Sequence, residues 1–403
     1  MSPVKGAARM RLVAVLDGAQ MGRFHQEERS DCRRGNDSRA DVRRSPVVAG
    51  DEPAHRAVLA AFRAPPHLRG DPHGARFTMS LLAIDLGGTK LASAIFTTEG
   101  DLRLRESVSL DGRRGRAVGA LIAEHARALR ARESPDPVQA IGVCVPGIYR
   151  AESGTVWAPN IPGWDDYPLL AELRSCVGDD VRVTIDSDRA AYVLGESWRG
   201  VARGSRNVVF IAVGTGIGAG LLVDGRVLRG HADIAGALGW MALRQPYREA
   251  YAGCGCLEHH ASGPGLVKVA REHLMSDRAY HGVLRGHDPH ALSTHDLFAA
   301  AEAGDPLAIA VFEDAIGLWG MMAANVVSLF NPEMIVFGGG IFGPAARYLE
   351  RIYEEALRWG QPISVRQATF ATSALGGDAG LYGAAKLALD EAGSAEPRAL
   401  AAR

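Results

Sequence analysis

Two stretches of this chain, about 130 residues apart, repeat one local pattern, and that repetition limits the fold more than any other feature. In the first, Leu81–Ile84 reads as a short apolar strand, Gly87-Gly88-Thr89 as a turn, and Leu91–Phe96 as the return strand. Glu99-Gly100-Asp101 then turns the chain into a third strand. In the second, Asn207–Val213 is the strand, Gly214-Thr215-Gly216-Ile217-Gly218 the turn and Ala219–Val223 the return, with a tight turn at Asp224-Gly225 before another strand. A unit of strand, glycine turn, strand, turn, strand that occurs twice implies an internal duplication. The expected architecture is therefore α/β, two similar lobes with a cleft between them.

Bulk properties exclude several alternatives. With 403 residues, 47% hydrophobic and 23% charged, the chain can bury a core without disulfide staples. Its five cysteines, Cys32, Cys144, Cys176, Cys254 and Cys256, are odd in number and scattered except for one close pair. That usage fits a reducing compartment, and a cytoplasmic protein is expected. No apolar run approaches the roughly 20 residues that span a bilayer, and no targeting segment is read, so no membrane partner is expected. Net charge is −1, which gives the whole molecule no bias toward nucleic acid.

The basic excess is confined to residues 1–78, which hold 14 Lys+Arg against 9 Asp+Glu. This segment mixes Arg pairs with Pro and Gly and has no sustained period of 3.6 or 2, so it is expected to be disordered. The folded body is expected to begin at Met79, itself a candidate translation start. Residues 79–200 form the expected N-terminal lobe and 201–390 the C-terminal lobe, whose last helix returns to the first. Residues 391–403 are left as a tail. A helix is expected over about Ala117 to Arg132, ended by Ser134-Pro135.

Three segments have the residue types for phosphoryl chemistry. In Asp85-Leu86-Gly87-Gly88-Thr89-Lys90, paired glycines let backbone N–H groups approach phosphate oxygens, while Thr89 and Lys90 add a hydroxyl and a positive charge. Asp85, at the end of a buried strand, is placed to hold the water shell of Mg²⁺. A plain β-hairpin uses the same residues, but the second copy, Gly214, Thr215 and Gly216, favours two hairpins closing on ATP from opposite sides. A dinucleotide fingerprint is excluded by context, since its glycines must open a helix and Ala219–Val223 reads as strand. Between the copies, the strand Val183–Asp186 runs into a helix that continues through Glu196. Helix capping accounts for one of Asp186, Ser187 and Asp188. A carboxylate at such a strand end, beside a phosphate donor, can take a proton from an attacking hydroxyl.

The ordered set Asp85–Lys90, Val145-Pro146-Gly147, Ala158-Pro159-Asn160 with Gly163-Trp164, the Asp188 junction, Gly214–Gly218, Cys256-Leu257-Glu258 with Ala261–Pro264, and Phe337–Gly340 resembles the ROK family of bacterial sugar kinases and sugar-responsive repressors. The resemblance covers about residues 80–390. It implies a two-lobed actin-like, or ribonuclease-H-like, fold and transfer of the ATP γ-phosphoryl group to a hexose hydroxyl, the 6-hydroxyl first. Asp188 corresponds to the family's catalytic base, Asn160 and Glu258 to its sugar-binding positions, and Gly338, Gly339 and Gly340 to a glycine turn beside adenosine. ATP and Mg²⁺ are the implied cofactors, and a homo-oligomer, taken as a dimer, the expected assembly.

The chain also departs from that family. Gly236-Ala237-Leu238-Gly239-Trp240 stands where Gly-Glu-x-Gly-His is usual, so a sugar-contacting glutamate and a zinc-ligating histidine are missing. Only Gly253-Cys254-Gly255-Cys256 remains of a four-ligand zinc run, and two thiolates do not close a structural site. Zinc is not expected unless His259 and His260 rebuild the site, and Trp240 is expected to fill the space with apolar surface. Ser187, counted among the sugar-facing residues, replaces an Asn common in relatives, which shortens the reach toward a ring substituent. Glucose specificity is weakened, and an amino-hexose such as kanosamine becomes a candidate. The rival reading, a sugar-responsive repressor, lacks an amphipathic helix pair in residues 1–78 and is opposed by the presence of Asp188.

Overall fold

The computed structural model describes residues 12–13, 79–132 and 136–393. Of the first 78 residues it describes only Leu12–Val13 (β1), so the expected disorder of the remainder lies outside the described residues, as does the tail beyond residue 393. The first repeat becomes β2 (Ser80–Leu86), β3 (Lys90–Thr97) and β4 (Leu102–Ser109), followed by helix α1 (Arg116–Arg130) and strand β5 (Val138–Val145). A small hairpin, β6 (Ile148–Arg150) and β7 (Thr155–Trp157), and helix α2 (Leu169–Val177) precede β8 (Arg182–Ser187). The sheet order is β4-β3-β2-β5-β8, with β2–β3 and β3–β4 antiparallel and β2–β5 and β5–β8 parallel.

Helix α3 (Asp188–Arg199) leads into the second repeat, β9 (Val208–Val213), β10 (Ile217–Val223) and β11 (Arg226–Val227). A helical insertion follows, α4 (Cys256–Ala261), α5 (Gly263–Ser276), α6 (Thr294–Glu302) and α7 (Pro306–Phe330). Then come β12 (Met334–Gly338), α8 (Leu349–Trp359), α9 (Pro362–Gln367), β13 (Thr369–Thr372) and α10 (Ala379–Gly393). The second sheet runs β11-β10-β9-β12-β13-β1. Numbered from the first strand of each repeat, both sheets share the order 3-2-1-4-5, with β1 added beside β13 at the edge of the second, so the duplication inferred from the glycine turns is present in the strand topology and the fold is the two-lobed actin-like one.

Burial follows the sequence pattern. Strands β2 and β5 are covered on both faces and read as continuous apolar runs, whereas edge strand β4 alternates between partly buried and exposed residues. Helix α1 buries Val118, Ile122, Ala126 and Leu129, spaced three or four apart. Helix α7 is the one described helix long and apolar enough to cross a membrane, but it reaches that length only by including Glu313 and Asp314. These carboxylates pair with Arg351 and Arg244, and most of the helix lies in the core of the second lobe.

The last helix crosses back to the first lobe. Leu381, Ala384, Ala385 and Ala388 of α10 share a core with Leu81, Ala83 and Ala140 of the first sheet. Small residues make this approach possible: a Cβ on Gly195 of α3 would lie 2.6 Å from the Ala379 carbonyl oxygen, and Gly383 has no room for one against Ala191. Fully buried Glu196 of α3 ties the lobes together, accepting from Leu375 N at 3.1 Å and Val201 N at 2.8 Å, and from the Ser373 hydroxyl.

Candidate functional site

The first glycine hairpin carries Asp85 at the end of β2, where it lines a cavity with Phe210, Phe337 and Gly338–Gly340 of the second lobe. Gly87 N donates to Lys90 O at 2.9 Å to close the turn, leaving Gly88, Thr89 and Lys90 exposed at its tip. The site of a Cβ on Gly88 is 3.8 Å from Asn160 Cβ, so the predicted sugar-facing Asn160 stands beside the predicted phosphate loop. Asp85 accepts from Cys144 Sγ at 3.1 Å and abuts Gly380 in the first turn of α10. Burial raises its carboxyl above the usual range, against the opposing pull of the Cys144 hydrogen bond and Lys90.

At the end of β8 the three polar residues have separate tasks. Ser187 is the N-cap of α3, its hydroxyl accepting from Ala190 N at 3.3 Å, which leaves its proton and one lone pair for a substrate. Buried Asp186 is held by Arg229 of the second lobe, whose Nε is 2.9 Å from Asp186 Oδ2. Asp188 is engaged on one side alone, by Arg189 N at 2.8 Å to Oδ1. Burial lifts its carboxyl to about 6; the Arg189 charge and that hydrogen bond oppose the shift, and Asp85 adds to it.

The second hairpin is closed by Gly214 N donating to Gly216 O at 2.9 Å, and Gly263 N donates to Gly214 O at 2.8 Å. Glu258 on α4 points into it, Oε2 accepting Ile217 N at 2.7 Å. The carboxylate fits only because its neighbours are glycines: a Cβ on Gly216 would lie 2.7 Å from Oε2, and one on Gly239 2.8 Å. Burial raises the Glu258 carboxyl as well. Two cavities share Gly340 in their walls. One, of about 450 Å³, is lined by Asp85, Tyr192, Phe210 and Gly338–Gly340. The other, of about 620 Å³, is lined by Gly214, Thr215, Gly340, Val267, Arg271 and Phe298. The sequence-predicted residues thus lie on the two hairpins, the β8–α3 junction, α4 and the β12 turn, except Asn160, which stands in the loop between β7 and α2 beside Gly88. Sequence reasoning missed Arg229, Cys144, Tyr192 and Gly380, whose partners lie tens to hundreds of residues away and leave no local spacing to recognise.

The loop before Glu258 corrects one expectation. Trp240 does not fill the family's metal space: it is 57% exposed. Backbone packs closely here instead, since a Cβ on Gly255 would lie 2.6 Å from Trp240 Cα. Buried Tyr251 occupies the core position, its hydroxyl 2.8 Å from His260 Nε2. Lys268 Nζ donates to His259 Nδ1 at 3.1 Å. Cys254 Sγ lies against the carbonyls of Ala250 at 3.9 Å and Gly255 at 3.8 Å. Among the described residues no three of His, Cys, Asp and Glu are grouped to hold a metal, so this donor set does not fit the family's zinc.

The sequence matches the ROK family over residues 81–391. A glucokinase of Halalkalibacterium halodurans is 32% identical over 326 residues, covering 78% of this chain and 96% of that protein. A ROK family glucokinase from Streptomyces griseus, solved in complex with glucose and AMPPNP, superposes with a TM-score of 0.62 at 28% identity over 77% of this chain and 99% of its own. A ROK family transcriptional regulator, homologous to the E. coli MLC protein, superposes with a TM-score of 0.69 at 25% identity over 77% of this chain and 78% of its own. With a match that spans almost the whole described body, and a fold that repeats the family's two lobes, the chain belongs to the ROK family.

Proposed function

We infer that this chain is an ATP-dependent sugar kinase that transfers the γ-phosphoryl group to the 6-hydroxyl of a hexose or amino-hexose, with glucose and kanosamine as candidate substrates. The observation that carries this reading is the environment of Asp188. Its carboxyl stands at the β8–α3 junction, close enough to Asp85 of the first hairpin to feel its charge, and its pKa is raised to about 6, chiefly by burial. It is therefore ionised at neutral pH yet basic enough to accept the proton of an attacking hydroxyl. The sugar would lie among Asn160, Ser187, Asp188 and Glu258, with the Glu258 carboxylate oriented by Ile217 N.

The nucleotide would occupy the two cavities that share Gly340, which are lined by Asp85 on one side and by Gly214 and Thr215 on the other. Its phosphates would face Gly87, Gly88, Thr89 and Lys90 of the first hairpin and Gly214, Thr215 and Gly216 of the second. Gly338, Gly339 and Gly340 would line its adenosine. Asp85, with Asp188 near it, supplies the hard oxygen donors that suit a hydrated Mg²⁺, which when bound would neutralise charge on the transferred phosphoryl group. Four described cysteines are free, in keeping with a cytoplasmic enzyme, and a homodimer is the assembly we propose. The likeness to a transcriptional regulator supports a second reading, a sugar-responsive repressor, which retention of Asp188 disfavours.

The test is Asp188→Asn. Turnover is expected to fall by about 10²–10⁴-fold with sugar affinity changed only a few-fold, because a general base acts mainly in the transition state. In the native enzyme, kcat/KM is expected to fall as pH drops through about 6, where Asp188 takes up a proton. Near-normal turnover in the variant would remove Asp188 from the mechanism.

A further inference from the structure

We propose that Tyr251 and His260 form a metal-free lock that positions Glu258 against the second glycine hairpin, and so serve as positioning residues for sugar binding. The proposal rests on the reading of Glu258 as a sugar ligand. Helix α4, which carries Glu258, has six residues and no side-chain cap at Gly255, and a helix that short has no stability of its own. Its orientation must come from tertiary contacts, and those contacts flank Glu258 directly.

His259 and His260 are 2% and 5% exposed, and Tyr251 is 5% exposed. The Tyr251 hydroxyl meets His260 Nε2 at 2.8 Å, while Lys268 Nζ donates to His259 Nδ1 at 3.1 Å. The two imidazoles pack edge to face at 4.8 Å between centroids, and Tyr251 stands edge-on to both, at 5.1 and 5.6 Å. Burial keeps both imidazoles neutral, so each nitrogen that meets a donor accepts from it. One further bond, Trp319 Nε1 to Ala261 O at 3.2 Å, anchors the end of the helix.

These contacts fix one end of a lever whose other end is the Glu258 carboxylate. That carboxylate has little tolerance for displacement, being wedged beside Gly216 and Gly239 and bonded to Ile217 N. A small rotation of α4 would break the Ile217 bond or press the carboxylate into the hairpin. The segment is thus set by three hydrogen bonds and the mutual packing of three rings, in a chain whose donor set there does not suit a metal.

The experiment compares the full chain with Tyr251→Phe, His260→Gln and His260→Ala by steady-state kinetics and by amide hydrogen exchange. Tyr251→Phe keeps the ring and removes one hydrogen bond, so the sugar KM is expected to rise about fivefold. The ATP KM should stay within about twofold, and exchange in residues 256–261 and at Ile217 should quicken by a similar factor. His260→Gln, which retains a hydrogen-bonding atom near the imidazole Nε2, should stay closer to the native values than His260→Ala. Chelator treatment should change neither the melting temperature nor the sugar KM once Mg²⁺ is restored. Native sugar KM and native exchange in Tyr251→Phe would overturn the lock, as would stoichiometric zinc whose removal raises the sugar KM. If the native chain phosphorylates no sugar, the kinase reading fails, and the lock then stands or falls on the exchange data alone.

Discussion

Replacing Asp188 by Asn should stabilise the ligand-free protein at neutral pH and leave it unchanged at acid pH. The Asp188 carboxyl titrates near 3.8 in the unfolded chain and at about 6 in the folded one. Above pH 6 both states are ionised, and the folded state carries the cost of a buried charge. At about 1.4 kcal/mol per pH unit, that cost is about 3 kcal/mol. As pH falls through 6 the folded state takes up the proton first, and the cost has vanished below about pH 4. Asn carries no charge at any pH and keeps the oxygen that Arg189 N requires. The variant should therefore melt about 5 °C above the native protein at pH 8 and level with it below pH 4, a conversion suited to a chain of this size. Differential scanning fluorimetry across pH 4–8 without ligands measures this. Equal melting at pH 8, or a gap that persists at pH 4, would refute the reasoning that burial of charge sets the Asp188 titration.

Gly216→Ala should raise the sugar KM about tenfold with a smaller effect on the ATP KM, because the new Cβ would lie 2.7 Å from Glu258 Oε2 and must push the carboxylate aside. Kinetics with each substrate varied in turn checks it. Arg229→Ala strips the partner from buried Asp186 and should destabilise the protein by about 3 kcal/mol. Adding Asp186→Asn should recover part of that loss, which denaturant melts of the single and double variants would show.

What the sequence revealed and what it hid divide along physical lines. The two hairpins were legible because a glycine turn between apolar runs is a local signal, and repetition of that signal implied two similar lobes; the shared strand order emerged only from the fold. Ser187 shows the limit of such reading: a polar residue at a strand-to-helix junction is recognisably a cap or a ligand, and only coordinates show it capping α3. Arg229 and Asp186 are 43 residues apart, and Cys144 and Asp85 are 59 apart, so no periodicity links them. The expectation for Trp240 fails because hydrophobicity argues for burial only in general, whereas here Tyr251 is the buried aromatic of the segment and the indole is exposed. Two adjacent histidines on a six-residue helix read as metal ligands or nothing, and their use with Tyr251 and Lys268 emerged only from the fold.

The most direct test of the whole account is ADP release by the purified full chain, with ATP and Mg²⁺, across a panel of neutral and amino sugars, each positive reaction followed by phosphorus NMR of the product. At least one hexose or amino-hexose is expected to raise ADP release far above the sugar-free rate, with the phosphate on the 6-hydroxyl. A panel in which no sugar raises ADP release, from a protein that binds operator DNA and is released by a sugar, would contradict it.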